Sequence, residues 1–212
     1  MATRRDGEVP SRPYLQLGVS SNVTYTYDES RKEGERITSV WVNDKPIDPK
    51  GTYSVGSGSF LIAGRDNFTE LAKGSKPVDS GKINLSAWVD WIRARKTLKP
   101  DFAKRAVSLT TSLHEGTSRD TTFTLGKPAD KAVAPDTVDF TSKDAVVNTI
   151  MKAQIVQDDK TVDVATTPVK DGWSSVSVKV PTAKGLVSGE ATTVFTFPDS
   201  GTTVRFAAKL SV

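Results

Sequence analysis

Cysteine is absent from this 212-residue chain, and histidine occurs once. The first absence excludes disulfides, thiolate metal sites and thiol nucleophiles. The second leaves His114 with no other imidazole to share a metal, whereas hydrolysis of phosphate esters ordinarily needs clustered His, Asp and Asn ligands that clamp both the attacking and the leaving oxygen. Long apolar runs are missing too: no stretch approaches the roughly 20 residues needed to span a bilayer. The opening MATRRDGEVPSRPYLQL has no apolar core of the kind that marks a signal peptide, so for an exported parent the signal is expected upstream of Met1. Motifs for familiar chemistries are equally scarce. No GxSxG elbow precedes a helix, which excludes a Ser-His-Asp hydrolase of that type, and neither the GxxxxGK[ST] phosphate cradle nor a dinucleotide fingerprint is present. No residue of the chain is assigned a catalytic role or a cofactor.

What is present is enough to fold. Hydrophobic residues make up 36% and charged residues 25%, lean in apolar content but outside the disordered range. Formal net charge is +4, and the excess is in the first half: residues 1–105 hold 18 Lys+Arg against 13 Asp+Glu, leaving 11 against 12 in the remainder. That density is too thin for a nucleic-acid stripe, and it favours a small anionic ligand such as a phosphate ester. The length suits two domains of about 100 residues each.

The first half mixes elements. Val23, Tyr25 and Tyr27 alternate with threonines, which predicts a strand, and a charged connection leads to a second strand at Ile37–Val42. Asn43–Pro46 predicts a turn and Tyr53–Val55 a third extended piece. The run GSGSFLIAGRDNF, residues 56–68, is glycine-rich and predicts a loop that either connects elements or admits a ligand close to the backbone. Leu85, Trp88, Val89 and Ile92 recur at helical spacing, predicting a helix over residues 84–96. Its cap is expected at Asn84 or Ser86, with Trp88 and Trp91 packed in or against a core.

From Ala106 onward short alternating runs rich in Val, Thr and Phe are broken about every ten residues by Gly, Pro or Asp. Strands are predicted at 107–113, 121–125, 137–140, 146–156, 162–165, 173–180, 191–197 and 202–210. Their number and spacing describe an immunoglobulin-like β-sandwich. His114 is expected at a strand end as a solvated turn residue.

Two aromatic rings stand in loops, Tyr14 beside prolines and Phe68 at the end of the glycine-rich run. Flat rings there suit either stacking on a base, a contact of about 1–3 kcal/mol, or plugging their own loop onto a core.

Four segments occur in order, RPYLQLGVSSNVTYTYD, RITSVWVNDKPIDPKGTYSV, SFLIAGRDNFTEL and DSGKINLSAWVDWI. Together, over about residues 10–105, they resemble the C-terminal substrate-specificity domain of the 5'-nucleotidases and UDP-sugar hydrolases. The resemblance implies an α+β fragment of that domain (residues 1–105), followed by the all-β immunoglobulin-like sandwich (106–212), of the kind found in wall proteins. It also implies that two rings sandwich the substrate base, at positions similar to Tyr14 and Phe68. The family's GGDGF loop corresponds to Gly64-Arg65-Asp66-Asn67-Phe68, retaining Gly64, Asp66 and Phe68 while Arg65 and Asn67 replace glycines. Asp79, in the DSG segment, is the candidate for a sugar contact.

On this basis the chain is expected to supply base recognition for an exported, cell-wall-associated bacterial nucleotidase. Divalent metals would be held by a catalytic domain that this chain lacks, so the chain alone is expected to be inactive. The partners implied are a nucleotide or nucleoside and, through exposed sheet edges, a homo-oligomer; nucleic acid is not among them. The alternative is a non-enzymatic surface protein in which the sandwich acts as spacer or adhesin.

Overall fold

A computed structural model describes residues 17–114, 120–127, 136–140, 142, 144–178 and 185–210. It is mostly β, with two sheets and few helices. The chain divides into two compact units, one made of residues 1–47 with 102–212, the other of 48–101.

In the first unit, the described residues form ten strands: β1 (Val23–Tyr27), β2 (Ile37–Val42), β3 (Lys45–Pro46), β4 (Ala106–His114), β5 (Asp120–Leu125), β6 (Ile150–Gln157), β7 (Lys160–Pro168), β8 (Ser174–Val178), β9 (Gly189–Phe197) and β10 (Thr202–Leu210). One sheet has the order β3-β2-β1-β4-β5-β8, the other β10-β9-β6-β7. Every pairing is antiparallel except β1 with β4, where Tyr25, Thr26 and Tyr27 lie opposite Ala106, Val107 and Ser108 in parallel. A parallel neighbour requires a long crossover, and in sequence the unit of residues 48–101 lies within it. The expected boundary at Ala106 therefore falls between two strands that share hydrogen bonds.

The core lies between the sheets. Leu109, Phe123 and Leu125 meet Met151, Ile155, Phe195 and Phe197, all buried, and the Phe123 and Phe195 rings stand 5.0 Å apart at a 54° tilt. Alternate residues of β6 and β9 are inward, as a pleated strand with one buried face requires. Each fully buried side chain of this size contributes about 1.5–3 kcal/mol of transfer free energy.

Two expectations are revised here. Residues 137–140 form no strand: 137–139 are bends, with Val138 N–H donating to the Gly172 carbonyl at 2.7 Å. Asn148 ties the segment down, its Nδ2 donating to Asp139 Oδ1 at 2.6 Å. Residues 146–149 do not join a ladder, and the strand begins at Ile150. In β1 the apolar and threonine faces do alternate, yet the most buried residue is Thr26, whose hydroxyl meets that of Thr38 at 2.7 Å. Beside it Trp41 of β2 is buried and its indole N–H donates to Ser39 Oγ at 2.7 Å. Residues 179–180, expected to extend β8, lie outside the described residues.

The second unit contains α1 (Ser59–Ile62), two 3-10 turns (Arg65–Asn67 and Leu71–Lys73) and α2 (Asn84–Arg95). Residues 53–55, expected to be an extended piece, form no strand, and the turn expected at 43–46 includes the short strand β3. The helix boundaries match the periodicity, but its surroundings do not. Ile83 occupies the cap position with no side-chain hydrogen bond, in place of the expected Asn84 or Ser86. No residue of α2 is buried; Trp88 is 63% and Trp91 43% exposed, which corrects the expectation that they pack in a core. They stack edge to face at 5.9 Å, and the Arg95 guanidinium lies 4.1 Å over the Trp91 ring.

Candidate functional site

The glycine-rich run is a sequence of tight turns. After α1, Gly64 takes a left-handed conformation (φ 75°, ψ 19°), and a Cβ added there would stand 3.1 Å from that of Ala72. Only glycine meets both demands without strain. Asp66 (φ 54°) and Asn67 (φ 66°) then follow in the same left-handed region. Among non-glycine residues, Asp and Asn are the types that tolerate it. This explains how Asn67 can stand where a glycine is expected, while Arg65 occupies a position that does not need positive φ.

The turn closes on Phe68, whose N–H donates to the Arg65 carbonyl at 3.2 Å and whose carbonyl accepts from Leu71 N–H at 3.1 Å. Phe68 is half-buried, as are Leu61, Ile62, Gly64 and Leu71 around it, whereas no residue of 48–101 is fully buried. The half-buried residues of the unit are thus concentrated in and around the loop that ends in Phe68. Arg65, Asp66 and Asn67 are exposed.

Of the five residues singled out from sequence, the structure gathers Gly64, Asp66 and Phe68 in this one loop. Asp79 sits apart, its Oδ1 accepting from Gly81 N–H at 2.8 Å in a turn of its own. Tyr14 lies outside the described residues. His114 ends β4, where its backbone is opposite Asp120, and its side chain lies outside the description.

Residues 3–73 match the family model of the 5'-nucleotidase C-terminal domain. The match contains Tyr14 and the whole Gly64–Phe68 loop; Asp79 and α2 lie beyond it. A 5'-nucleotidase-related protein of Glossina morsitans morsitans is 34% identical over 101 residues, an alignment covering 44% of this chain and 18% of that protein. The chain therefore spans about a fifth of the length of that curated relative.

A two-metal centre of the nucleotidase kind needs converging donors, and the described residues contain no group of three or more His, Asp or Glu that could hold a metal ion. No helix among the described residues is long and apolar enough to cross a membrane.

Sequence reasoning missed a second feature, in the first unit. A cavity of about 230 Å³ is lined by Leu17, Lys104, Arg105 and Phe140 among others. Lys104 Nζ donates to the Thr137 carbonyl at 2.5 Å and lies 5.5 Å from the Phe140 ring. Burial pushes its ammonium below the ordinary lysine range, and Asp139 and Asp136 draw it part of the way back. Arg105 donates to the Val19 carbonyl at 3.1 Å. The only signal in the sequence was the doublet of basic residues at the start of β4.

Proposed function

We propose that residues 1–105 recognise the base of a nucleotide or nucleoside for a 5'-nucleotidase-type hydrolase whose metal-dependent catalysis resides in another part of the parent protein. Phe68 supplies a ring for stacking, Gly64 and Asp66 set the loop that presents it, and Tyr14 is the second ring; Asp79 contacts the sugar. The parent is exported and associated with a bacterial cell wall, and residues 106–212 are an immunoglobulin-like module of its surface portion. The observation that carries this reading is the coincidence of the family match over 3–73 with a loop whose left-handed turns lead into a half-buried, partly accessible ring.

The test is a thermal-shift panel of adenosine, AMP, UDP-glucose and phosphate on the whole chain and on Phe68→Ala. Stabilisation by a nucleoside that disappears in the variant is the expected result. No shift with any ligand means that base recognition does not operate in this chain.

A second reading is supported by the contrast in packing: the sandwich has a full core, while residues 48–101 bury nothing completely. In that reading the protein is a non-enzymatic spacer or adhesin and the nucleotidase-like region is a remnant. Hydrolysis of AMP by an upstream-extended chain supplied with divalent metal separates the two, since a spacer shows none.

A further inference from the structure

The turn that leads into Phe68 carries two charged side chains in succession, Arg65 and Asp66. Both are exposed, and among the described residues neither side chain forms a hydrogen bond or ion pair. Other charges of the same unit do pair, Lys73 with Glu70 and Lys82 with Asp90, each at 2.5 Å. An arginine and an aspartate that are chain neighbours, do not neutralise each other and stand three and two positions before a half-buried phenylalanine offer one bidentate donor and one bidentate acceptor to a ligand.

Resting on the base-stacking reading above, we infer that Arg65 and Asp66 read the edges of the stacked base, and that the base they fit is guanine. Guanine presents two acceptors side by side, O6 and N7, which an arginine fork engages together. Its adjoining edge presents two parallel donors, N1–H and the N2 amino group, which match the two oxygens of a carboxylate. Adenine alternates donor and acceptor along its edge, so each fork keeps at most one bond. Uracil sets its single N3–H between two carbonyl oxygens, which repel a carboxylate. Cytosine offers one amino donor beside a lone acceptor. Only guanine satisfies both forks at once, and Arg65 and Asp66 are consecutive residues of the turn that ends in Phe68.

The experiment is calorimetric titration of the whole chain with guanosine, adenosine, uridine and cytidine, repeated for Arg65→Lys, Asp66→Asn and Phe68→Ala. Lysine keeps the charge of Arg65 but loses its fork, and asparagine keeps the tolerance for positive φ at position 66 while replacing one acceptor by a donor. Guanosine is expected to bind on the order of tenfold more tightly than adenosine. Arg65→Lys and Asp66→Asn should each remove most of that preference by weakening guanosine more than adenosine, while Phe68→Ala should weaken all four nucleosides. Binding that depends on Phe68 but shows no preference for guanosine, or a preference that both substitutions leave intact, overturns the edge-reading role and leaves base stacking standing. Absence of binding by every nucleoside overturns the stacking reading and this inference with it.

Discussion

The two units of this chain are built from sequence of similar polarity, yet they use their apolar residues in opposite ways. In the sandwich, Leu125, Met151, Ile155, Phe195 and Phe197 are fully shielded from solvent, while in residues 48–101 Leu85 is 71%, Ile83 70%, Phe60 57% and Trp88 63% exposed. A sheet with one apolar face finds its complement in a second sheet. A single amphipathic helix has no such complement unless another element covers it, and within the unit nothing covers α2 completely. Local order in residues 48–101 therefore comes from turns and short-range hydrogen bonds, and most of the unit's half-buried residues lie between Gly58 and Leu71.

The largest test of that contrast is a pair of substitutions. Phe195→Ala should cost about 3–5 kcal/mol of unfolding free energy, and Trp88→Ala should stay within about 0.5 kcal/mol, both read by urea denaturation followed by circular dichroism. A comparable loss for Trp88→Ala would show that the helix face is covered and would break the comparison.

Glycines sharpen it. Gly172 (φ +75°) would place a Cβ 1.8 Å from Thr137 Oγ1, inside the sandwich, whereas Gly64 would meet Ala72 at 3.1 Å in the loop. Gly172→Ala is expected to lose about 1–3 kcal/mol through overpacking and strain. Gly64→Ala should lose roughly 1 kcal/mol, scarcely visible in global unfolding, yet it should abolish the nucleoside-induced thermal shift by displacing Phe68. A Gly64→Ala variant that retains the full shift would uncouple loop shape from binding.

The smallest effect concerns Lys104. Because burial, the larger influence, lowers its affinity for the proton in the folded chain, the unfolded chain holds more protons in the window just below the ordinary lysine value of 10.5. Stability therefore rises with pH through that window. The difference in unfolding midpoint between the wild type and Lys104→Met should move in favour of the wild type as pH approaches 10.5. A flat difference would mean that Lys104 keeps its proton as it does in water.

Much of the candidate site was legible because it depends on residue type at consecutive positions. The glycine cluster announced tight turns, though not the helical turn Ser59–Ile62 that lies within the run. The left-handed turn at Asp66 and Asn67 was not legible, since both residues also accept ordinary backbone; neither was the separate turn that engages Asp79. The cavity beside Lys104 and Arg105 brings residues 17–19 to residues 103–106 and 140, a conjunction that no spacing encodes.

By itself, then, the sequence determined the local periods: strands where Val, Thr and Phe alternate, and a helix over 84–95 where apolar residues recur at every third or fourth position. These follow from backbone geometry within a few residues of chain. Tertiary structure alone decided that β1 pairs in parallel with β4, that Thr26 rather than Tyr25 is buried, and that Trp88 stays in solvent. Each of those depends on which distant surface arrives to cover a given face, because the free energy of burial belongs to the pair of surfaces and not to either segment.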